Sequence, residues 1–367
     1  MIIQLLVSLA SVLSLVTSSA VSTAASDSEM VPTRLSPSYP VGIAAGPDGA
    51  LWFTENDGIG RITLDGRASL FHVPGMVQMS AATASSLADC YCYSGIVRGP
   101  DDSLYFAQTH AIGRMTARRL SALPIRPDLS PPRYLMVGPD RALWFVVAPS
   151  RNSGSERWVG DYIVRMSLDG RITWYHPRPA LLVQGMATGM DGDVWLTVAR
   201  PHGIIRMSTH GRIIAKYGIH GTACSSECMP FGITAGPDGN MWFTAAWRVI
   251  GRVSPTGRIA LFALARHRLL LQPFALHAGP DGRLWFSEVV ADQIGAIATD
   301  GRAQEYSVPG AAEEISPGIS AGGDHNMWFT QTCASNIGRV TPTGKVTSYH
   351  IPGTSRTRDS WCPYFMP

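Results

Sequence analysis

The chain contains few charged residues, and its cationic side chains never occur in runs. Asp, Glu, Lys and Arg make up 16% of the 367 residues, and the net charge is +3. Lys and Arg are scattered singly, as in the repeated Gly-Arg pairs. Because a nucleic-acid-binding surface clusters its basic residues on one face, we do not expect this chain to bind nucleic acid.

Long hydrophobic stretches are also missing, except at the N-terminus. The segment from Met1 to Val16 is almost wholly apolar and is followed by small residues. This pattern predicts a secretory signal peptide over residues 1–25, cleaved near Ala20 or Ala25, and hence a secreted or extracytoplasmic protein. An uncleaved membrane anchor is the alternative, because no Lys or Arg precedes the apolar run.

Turn-forming residues are abundant, with 37 Gly and 26 Pro, and they are arranged in a repeat. The clearest copies read GIAAGPDGALWFTE from Gly42 and GITAGPDGNMWFTA from Gly232. Each copy has a Gly-Pro-Asp-Gly type of turn, an apolar run centred on Trp-Phe, a run containing Ile-Gly-Arg, a second turn and a fourth run. Seven copies occur, with aromatic anchors at Trp52, Tyr105, Trp144, Trp195, Trp242, Trp285 and Trp328.

Four short strands in a unit of about 40 to 45 residues are typical of a propeller blade. The sequence therefore predicts an all-β, seven-bladed β-propeller over residues 26–353, with four antiparallel strands per blade. The Trp and Phe residues of the second strands are expected to pack between blades. Residues 354–367 are predicted to form a C-terminal tail at the blade seam, either as a cap or as the start of a truncated eighth repeat.

The two turns of each blade fall on the same side of the predicted disc. The opposite side, called the loop face below, carries the starts of the first strands, the ends of the second strands and the connections that follow them. The longest insertions, residues 74–90 and 148–161, map to this face. Because irregular loops on a rigid scaffold commonly carry function, the loop face is the predicted binding face.

The six cysteines also map to the loop face, and they lack the paired C-x-x-C spacing of a zinc site. Disulfides are expected in an exported chain. Cys333 with Cys362 is the preferred long-range bridge, and Cys224 with Cys228 is a local candidate. The other two cysteines are separated by one residue, which would strain a mutual bond. Reactive thiols are the alternative interpretation.

Three motifs resemble those of the streptogramin B lyases, also called virginiamycin B lyases. They are LWFTE at Leu51–Glu55, IGRIT at Ile59–Thr63 and the turn at Asp65-Gly66. The resemblance covers nearly all of the chain after Pro32. It implies a propeller with carbon-oxygen lyase activity, in which Mg²⁺-dependent elimination opens a cyclic depsipeptide at its ester without consuming water. It also implies a histidine base at the start of a first strand and nearby glutamates that hold the metal.

The equivalent positions of this chain are occupied differently. Aligned on the glycine before each turn, the histidine positions contain Val41, Ser94, Arg133, Gln184, Phe231, Phe274 and Pro317. The position two residues earlier is acidic in none of the repeats. At the ends of the second strands Glu55 and Glu288 remain, with Gln331 between them around the ring. These two glutamates are the candidate ligands of a Mg²⁺ or Ca²⁺ ion in the central mouth.

Histidines elsewhere on the loop face are the candidate catalytic bases. His110 and His202 follow the second strands of blades two and four. Neither lies at the family position, and a solvated loop histidine is the alternative for both. His277, on a first strand, is expected to be an interior residue.

Two functions remain open. The first is a monomeric module that binds a small molecule, glycan or peptide at the loop face, which requires no catalytic base. The second is a streptogramin B lyase, or a related metal-dependent enzyme that cleaves an ester or a lactone. The residues predicted to bind the ligand through exposed side chains are Arg133, Gln184, Phe231, Trp247, Arg248 and Phe274, together with Gln331.

Overall fold

In the computed structural model, the described residues are 28–29, 32–33, 39–76, 95–116, 119–149, 160–221, 228–246, 248–264, 272–289, 293–309 and 318–352. They form seven antiparallel sheets and contain no helix, so none of them belongs to a helix that spans a membrane. The predicted seven-bladed, all-β propeller is confirmed. The predicted signal peptide and C-terminal tail lie outside the described residues.

Each blade is built from four consecutive strands. Blade one comprises β2 (Ile43–Ala45), β3 (Leu51–Glu55), β4 (Gly58–Ile62) and β5 (Ala68–His72). Blade two comprises β6 (Ile96–Arg98), β7 (Leu104–Gln108), β8 (Ala111–Thr116) and β9 (Arg119–Pro124). Blade three comprises β10 (Arg133–Val137), β11 (Leu143–Val147), β12 (Tyr162–Met166) and β13 (Ile172–Tyr175). Blade four comprises β14 (Leu182–Thr188), β15 (Val194–Arg200), β16 (His202–Met207) and β17 (Ile213–Tyr217).

The remaining three blades follow the same order. Blade five comprises β18 (Pro230–Ala235), β19 (Met241–Ala245), β20 (Val249–Val253) and β21 (Ile259–Ala263). Blade six comprises β22 (Gln272–Ala278), β23 (Leu284–Val289), β24 (Gln293–Ile297) and β25 (Ala303–Ser307). Blade seven comprises β26 (Ile319–Ala321), β27 (Met327–Gln331), β28 (Asn336–Val340) and β29 (Val346–His350). A short strand, β1 (Ser28–Glu29), adds a fifth strand to blade two by pairing with β9.

The second strand of each blade is buried on both faces, because the neighbouring blades cover it. In blade one, Trp52 packs with Phe106 of blade two, whereas Phe53 packs with Trp328 of blade seven. The same alternation explains why these strands are continuous apolar runs, unlike a half-exposed antiparallel strand. The expectation that the Trp and Phe residues pack between blades is confirmed.

An aspartate in the first turn of each blade accepts a hydrogen bond from the aromatic anchor of the second strand, and in every blade except the sixth it also contacts an arginine of the third strand. In blade one, the Trp52 Nε1–H donates to Asp48 Oδ1 at 3.0 Å, and Arg61 Nε donates to Asp48 Oδ2 at 2.6 Å. Burial opposes ionisation of Asp48, but these hydrogen bonds outweigh it and hold its pKa below the usual value. The sequence repeat already indicates this contact, since each of these aspartates lies four residues before the aromatic anchor.

The ring closes without a shared strand, because blades one and seven are separate sheets. Their first strands, β2 and β26, lie side by side. Thr330 Oγ1 of blade seven donates to the carbonyl oxygen of Val41 at 2.9 Å, and Thr332 Oγ1 donates to that of Pro40 at 2.7 Å. Side-chain hydroxyls therefore join the last blade to the first.

We expect Thr330→Val to lower the free energy of unfolding by about 1–3 kcal/mol. The change leaves the buried Val41 carbonyl without this donor and the Gly318 N–H without the acceptor that lies 3.1 Å away. Urea unfolding followed by tryptophan fluorescence measures the loss. Thr347→Val, on the outer strand β29, is the control and should change stability by less than about 0.5 kcal/mol. Equal effects of the two substitutions would contradict the closing role of Thr330.

Two of the predicted disulfide cysteines are described. Cys228 and Cys333 are both disulfide-bonded. Cys333 follows Thr332 at the seam between blades seven and one. Cys90, Cys92, Cys224 and Cys362 lie outside the described residues, so the pairings stay predictions.

Candidate functional site

The first strands converge on a central cavity of about 270 Å³, to which blades one to six all contribute. Its apolar wall includes Leu135, Met186, Ile233 and Leu276. The complete described lining is Val41, Gly42, Gly95, Tyr134, Leu135, Gln184, Gly185, Met186, Gly232, Ile233, Phe274, Ala275 and Leu276. Three of the seven positions at which the family resemblance implies histidine line this cavity, namely Val41, Gln184 and Phe274.

Glycines allow the first strands to approach this closely. A Cβ atom on Gly185 would collide with the carbonyl oxygen of Phe231, and one on Gly232 would collide with that of Phe274. Hydroxyl groups then hold these carbonyls: Thr197 donates to Phe231 O, and Thr244 donates to Phe274 O. The wall of the cavity is therefore cross-linked from blade to blade.

Blade three departs from this pattern, because Tyr134 occupies the glycine position. Its φ is +54°, a left-handed conformation that non-glycine residues rarely adopt, and the register of β10 shifts between Arg133 and Met136. Tyr134 lies in the cavity wall. Strain of this kind is commonly found at functional positions.

The described cavity lining is polar at two side chains and carries no ionisable group that titrates near neutral pH. Tyr134 and Gln184 supply the polar side chains, and no His, Asp, Glu, Lys, Arg or Cys occurs among the described lining residues. The amide of Gln184 makes no hydrogen bond within the part of the chain that the structure describes. The cavity can accept or donate hydrogen bonds, but its described walls offer no general base.

Arg133, expected to be exposed, is buried in an ion pair with Asp161. Arg133 Nη2 lies 2.6 Å from Asp161 Oδ1, and the side chains are 7% and 1% exposed. The second oxygen, Asp161 Oδ2, accepts a hydrogen bond from Val183 N at 2.8 Å. Asp161 thus links Arg133, which precedes Tyr134, to Val183, which precedes Gln184.

The other predicted ligand-binding residues divide between the cavity and the interior. Gln184 and Phe274 line the cavity. Phe231 is buried, with its ring centroid 5.9 Å from that of Phe274. Arg248 is buried as well, so the expected exposure is wrong for Arg133, Phe231 and Arg248. Trp247 lies outside the described residues.

Arg248, Glu288 and Glu305 form a charged cluster between blades five and six. Arg248 Nη2 lies 2.8 Å from Glu305 Oε1 and 3.7 Å from Glu288 Oε1. Glu288 is 1% exposed, and neither of its oxygens accepts a hydrogen bond from another described residue. Burial, reinforced by the charge of Glu305 and opposed by that of Arg248, raises the pKa of Glu288 to about 7.

The two predicted metal ligands, Glu55 and Glu288, lie in different interfaces between blades, and Gln331, predicted to bind the ligand, lies in a third. Glu288 lies on the strand face of Leu284 and Phe286, which pack against Trp242 of blade five. Glu55 lies on the same face of β3 as Leu51 and Phe53, and this face packs against blade seven. Gln331 lies on the face of β27 that packs against blade six. Each of the three is buried in a different interface between blades.

A divalent cation does not fit the described donor set. No group of three or more His, Cys, Asp or Glu side chains arranged to hold a metal occurs among the described residues. The one pair of neighbouring carboxylates named above, Glu288 and Glu305, already has a guanidinium beside it. Mg²⁺ and Ca²⁺ need several oxygen ligands, which this arrangement does not supply.

The histidines lie away from the described cavity wall. His110 and His202 are exposed, in the turn after β7 and at the start of β16. The structure places neither in the cavity lining. His277 is half-buried on β22, with Nδ1 2.7 Å from the Ala278 carbonyl oxygen, and burial lowers its pKa despite this contact. An interior role for His277 agrees with these contacts.

Comparison with known proteins identifies one family. The model of the virginiamycin B lyase family matches residues 19–150 and 156–359. No curated protein shows a significant sequence match.

Solved structures agree with the fold. A catalytically inactive histidine-to-alanine variant of virginiamycin B lyase from Staphylococcus aureus, with quinupristin, superimposes with a TM-score of 0.66 at 24% identity, covering 85% of this chain and 98% of that one. A streptogramin B lyase structure has a TM-score of 0.54 at 25% identity, covering 92% and 91%. A puromycin hydrolase variant has a TM-score of 0.62 at 12% identity, covering 84% and 53%. At these identities, the first and third comparisons bear on the fold alone.

Proposed function

Since the chain belongs to the virginiamycin B lyase family, we propose that it uses the family scaffold as an exported binding module, which takes an uncharged ligand into the central cavity. The observation that carries this proposal is the described cavity lining, in which apolar side chains and backbone surround two neutral polar groups, Tyr134 and Gln184. Such a composition is typical of ligand pockets, where a few polar groups orient a mostly apolar ligand.

The absence of charge from the described walls supports an uncharged ligand. A charged group that enters such a cavity loses its hydration and gains no partner of opposite charge, which is costly. A neutral amide or ester, in contrast, needs only one or two hydrogen bonds. The amide of Gln184 is available for one of these, because it makes no hydrogen bond to another described residue.

The size of the cavity limits how much of a ligand it encloses. A volume of about 270 Å³ corresponds to about nine water molecules at liquid density. The cavity therefore suits a molecule of about a dozen non-hydrogen atoms, or one uncharged side group of a larger ligand that rests on the loop face.

Ring opening by elimination is the second candidate, and family membership is the observation that favours it. Elimination needs a base for the proton and a cation for the carbonyl. In the Staphylococcus aureus enzyme, a histidine-to-alanine variant is catalytically inactive. The described cavity lining of this chain has no histidine, and the described carboxylates do not suit a divalent cation. For these reasons we favour binding over lyase activity.

The cavity assignment predicts that Gln184→Trp blocks ligand binding. The indole would fill the space beside Met186 and remove the amide, so affinity for a neutral probe should fall at least about tenfold. Acetanilide, benzoate and benzylamine are similar in size and differ in charge, and ligand-observed NMR compares their affinities. Acetanilide should bind more tightly than the two charged probes.

Gln304→Trp, on the exposed outer strand β25, is the matched control and should leave binding unchanged. Equal binding of all three probes, or full binding by Gln184→Trp, would place the ligand site elsewhere.

A further inference from the structure

The cluster of Arg248, Glu288 and Glu305 lies at the loop-face end of the interface between blades five and six. Arg248 follows the second strand of blade five, Glu288 lies near the end of the second strand of blade six, and Glu305 lies on its outer strand. Glu288 is paired in register with Pro273, the residue before Phe274 of the cavity wall. The cluster is therefore next to the cavity, although none of its side chains belongs to the described lining.

Two ionised carboxylates in a buried position are stabilised by a positive charge between them. Without one, the ionised carboxylates of Glu288 and Glu305 would repel each other, and burial opposes the ionisation of Glu288. Arg248 supplies the charge, with Nη2 at 2.8 Å from Glu305 and 3.7 Å from Glu288. All three side chains are at least about nine-tenths buried, which excludes most of the water that would otherwise screen them.

Arg248 makes this contact from an unusual backbone conformation. Its φ is +61°, in the left-handed region that a residue with a side chain adopts at a cost. Its Nε and Nη1 groups make no hydrogen bond to the described residues, so the polar contacts of its guanidinium within the described part of the chain are those with the two carboxylates. The position is therefore occupied by a cation that belongs to the chain itself.

We propose that Arg248 is a built-in cation at this site, which replaces a bound divalent metal between Glu288 and Glu305. A guanidinium between two carboxylates repels Mg²⁺ or Ca²⁺ and occupies the space beside Glu288 Oε1 and Glu305 Oε1 that a bridging ion would need. The site is consequently independent of metal. Removing the guanidinium while keeping both glutamates creates a paired-carboxylate site, which a divalent cation can bridge.

Thermal unfolding of the full chain at about pH 8 tests this proposal. Melting temperatures are compared in MgCl₂, in CaCl₂, in EDTA and in NaCl of equal ionic strength. The wild-type chain should melt within about 1 °C in all four. Arg248→Met should melt lower in EDTA and gain about 2 °C or more with Mg²⁺ or Ca²⁺, because the ion binds only the folded chain.

Two further variants test whether the metal response of Arg248→Met comes from the loss of the positive charge between the two carboxylates. Arg248→Lys keeps a positive charge and should remain insensitive to metal. Arg248→Met combined with Glu288→Gln removes one of the paired carboxylates and should lose the gain. A folded Arg248→Met variant that does not respond to either ion would overturn the proposal.

Equilibrium dialysis of the wild-type chain against Mn²⁺ tests the same proposal without any substitution. We expect no stoichiometric binding. Uptake of one Mn²⁺ that Glu288→Gln abolishes would show a metal at this site and refute the built-in cation, whether or not Arg248→Met folds.

Discussion

Asp161→Asn is expected to lower the free energy of unfolding by about 3–5 kcal/mol, because it leaves the guanidinium of Arg133 in a buried position without the charge that now lies 2.6 Å away. The substitution also alters the group that accepts the Val183 N–H. Chemical denaturation followed by intrinsic fluorescence measures the effect.

Two controls separate this buried pair from ion pairs in general. Asp300→Asn breaks the pair between Arg302 and Asp300, whose side chains are 87% and 50% exposed, and should cost less than about 1 kcal/mol. Arg133→Met combined with Asp161→Asn removes both charges and should recover much of the stability lost in the single variant. A double variant no more stable than Asp161→Asn alone would show that the lost charge is not the cause.

Glu288→Gln should make the chain more stable at about pH 8, by about 3 kcal/mol at most. The pKa of Glu288 is about 7 in the folded chain, against 4.5 for an unperturbed glutamate. The folded state therefore binds more protons than the unfolded state between these values, so stability falls as the pH rises from about 4.5 to 7 and levels off above it. Each tenfold difference in proton affinity contributes about 1.4 kcal/mol, and glutamine removes this contribution.

The measurement is the free energy of unfolding at several pH values between about 4 and 8. The Glu288→Gln profile should be flatter than that of the wild-type chain, and the two should converge near pH 4. Glu305→Gln is the contrasting variant, because it removes the carboxylate that accepts a hydrogen bond from Arg248 at 2.8 Å, and it should lower stability. A Glu288→Gln variant less stable than wild type at about pH 8 would mean that ionised Glu288 stabilises the interface.

The fold was predictable because every repeat specifies the same local structure. The turn sequence sets two strands against each other, and the aromatic anchor four residues after the turn aspartate marks the strand between two blades. A local pattern that recurs seven times leaves little freedom in the topology. The sequence did not predict strand β1. It has only two residues and pairs with β9 at the edge of blade two, so it is too short to show a hydrophobic periodicity.

The candidate site was predictable in position and less so in chemistry. Alignment of the repeats identified Gln184 and Phe274, because equivalent positions of a propeller meet at its axis. It could not show that Arg133 turns away to Asp161, which is 28 residues distant and lies within an insertion. Arg248 and Glu305 are 57 residues apart and come from adjacent blades, so only the packed ring brings them together. These pairs determine burial and charge, which a repeat alignment does not contain.

The most direct test of the account is whether this chain opens the ring of quinupristin. The purified protein is incubated with quinupristin and Mg²⁺, alongside an active virginiamycin B lyase, and the products are separated and fragmented by mass spectrometry. Elimination consumes no water, so the opened product has the same mass and is recognised by its retention and its fragments. We predict that quinupristin remains cyclic with this chain while the active enzyme converts it. Turnover to the linear isomer would contradict the assignment of the central cavity as a binding site without a catalytic base.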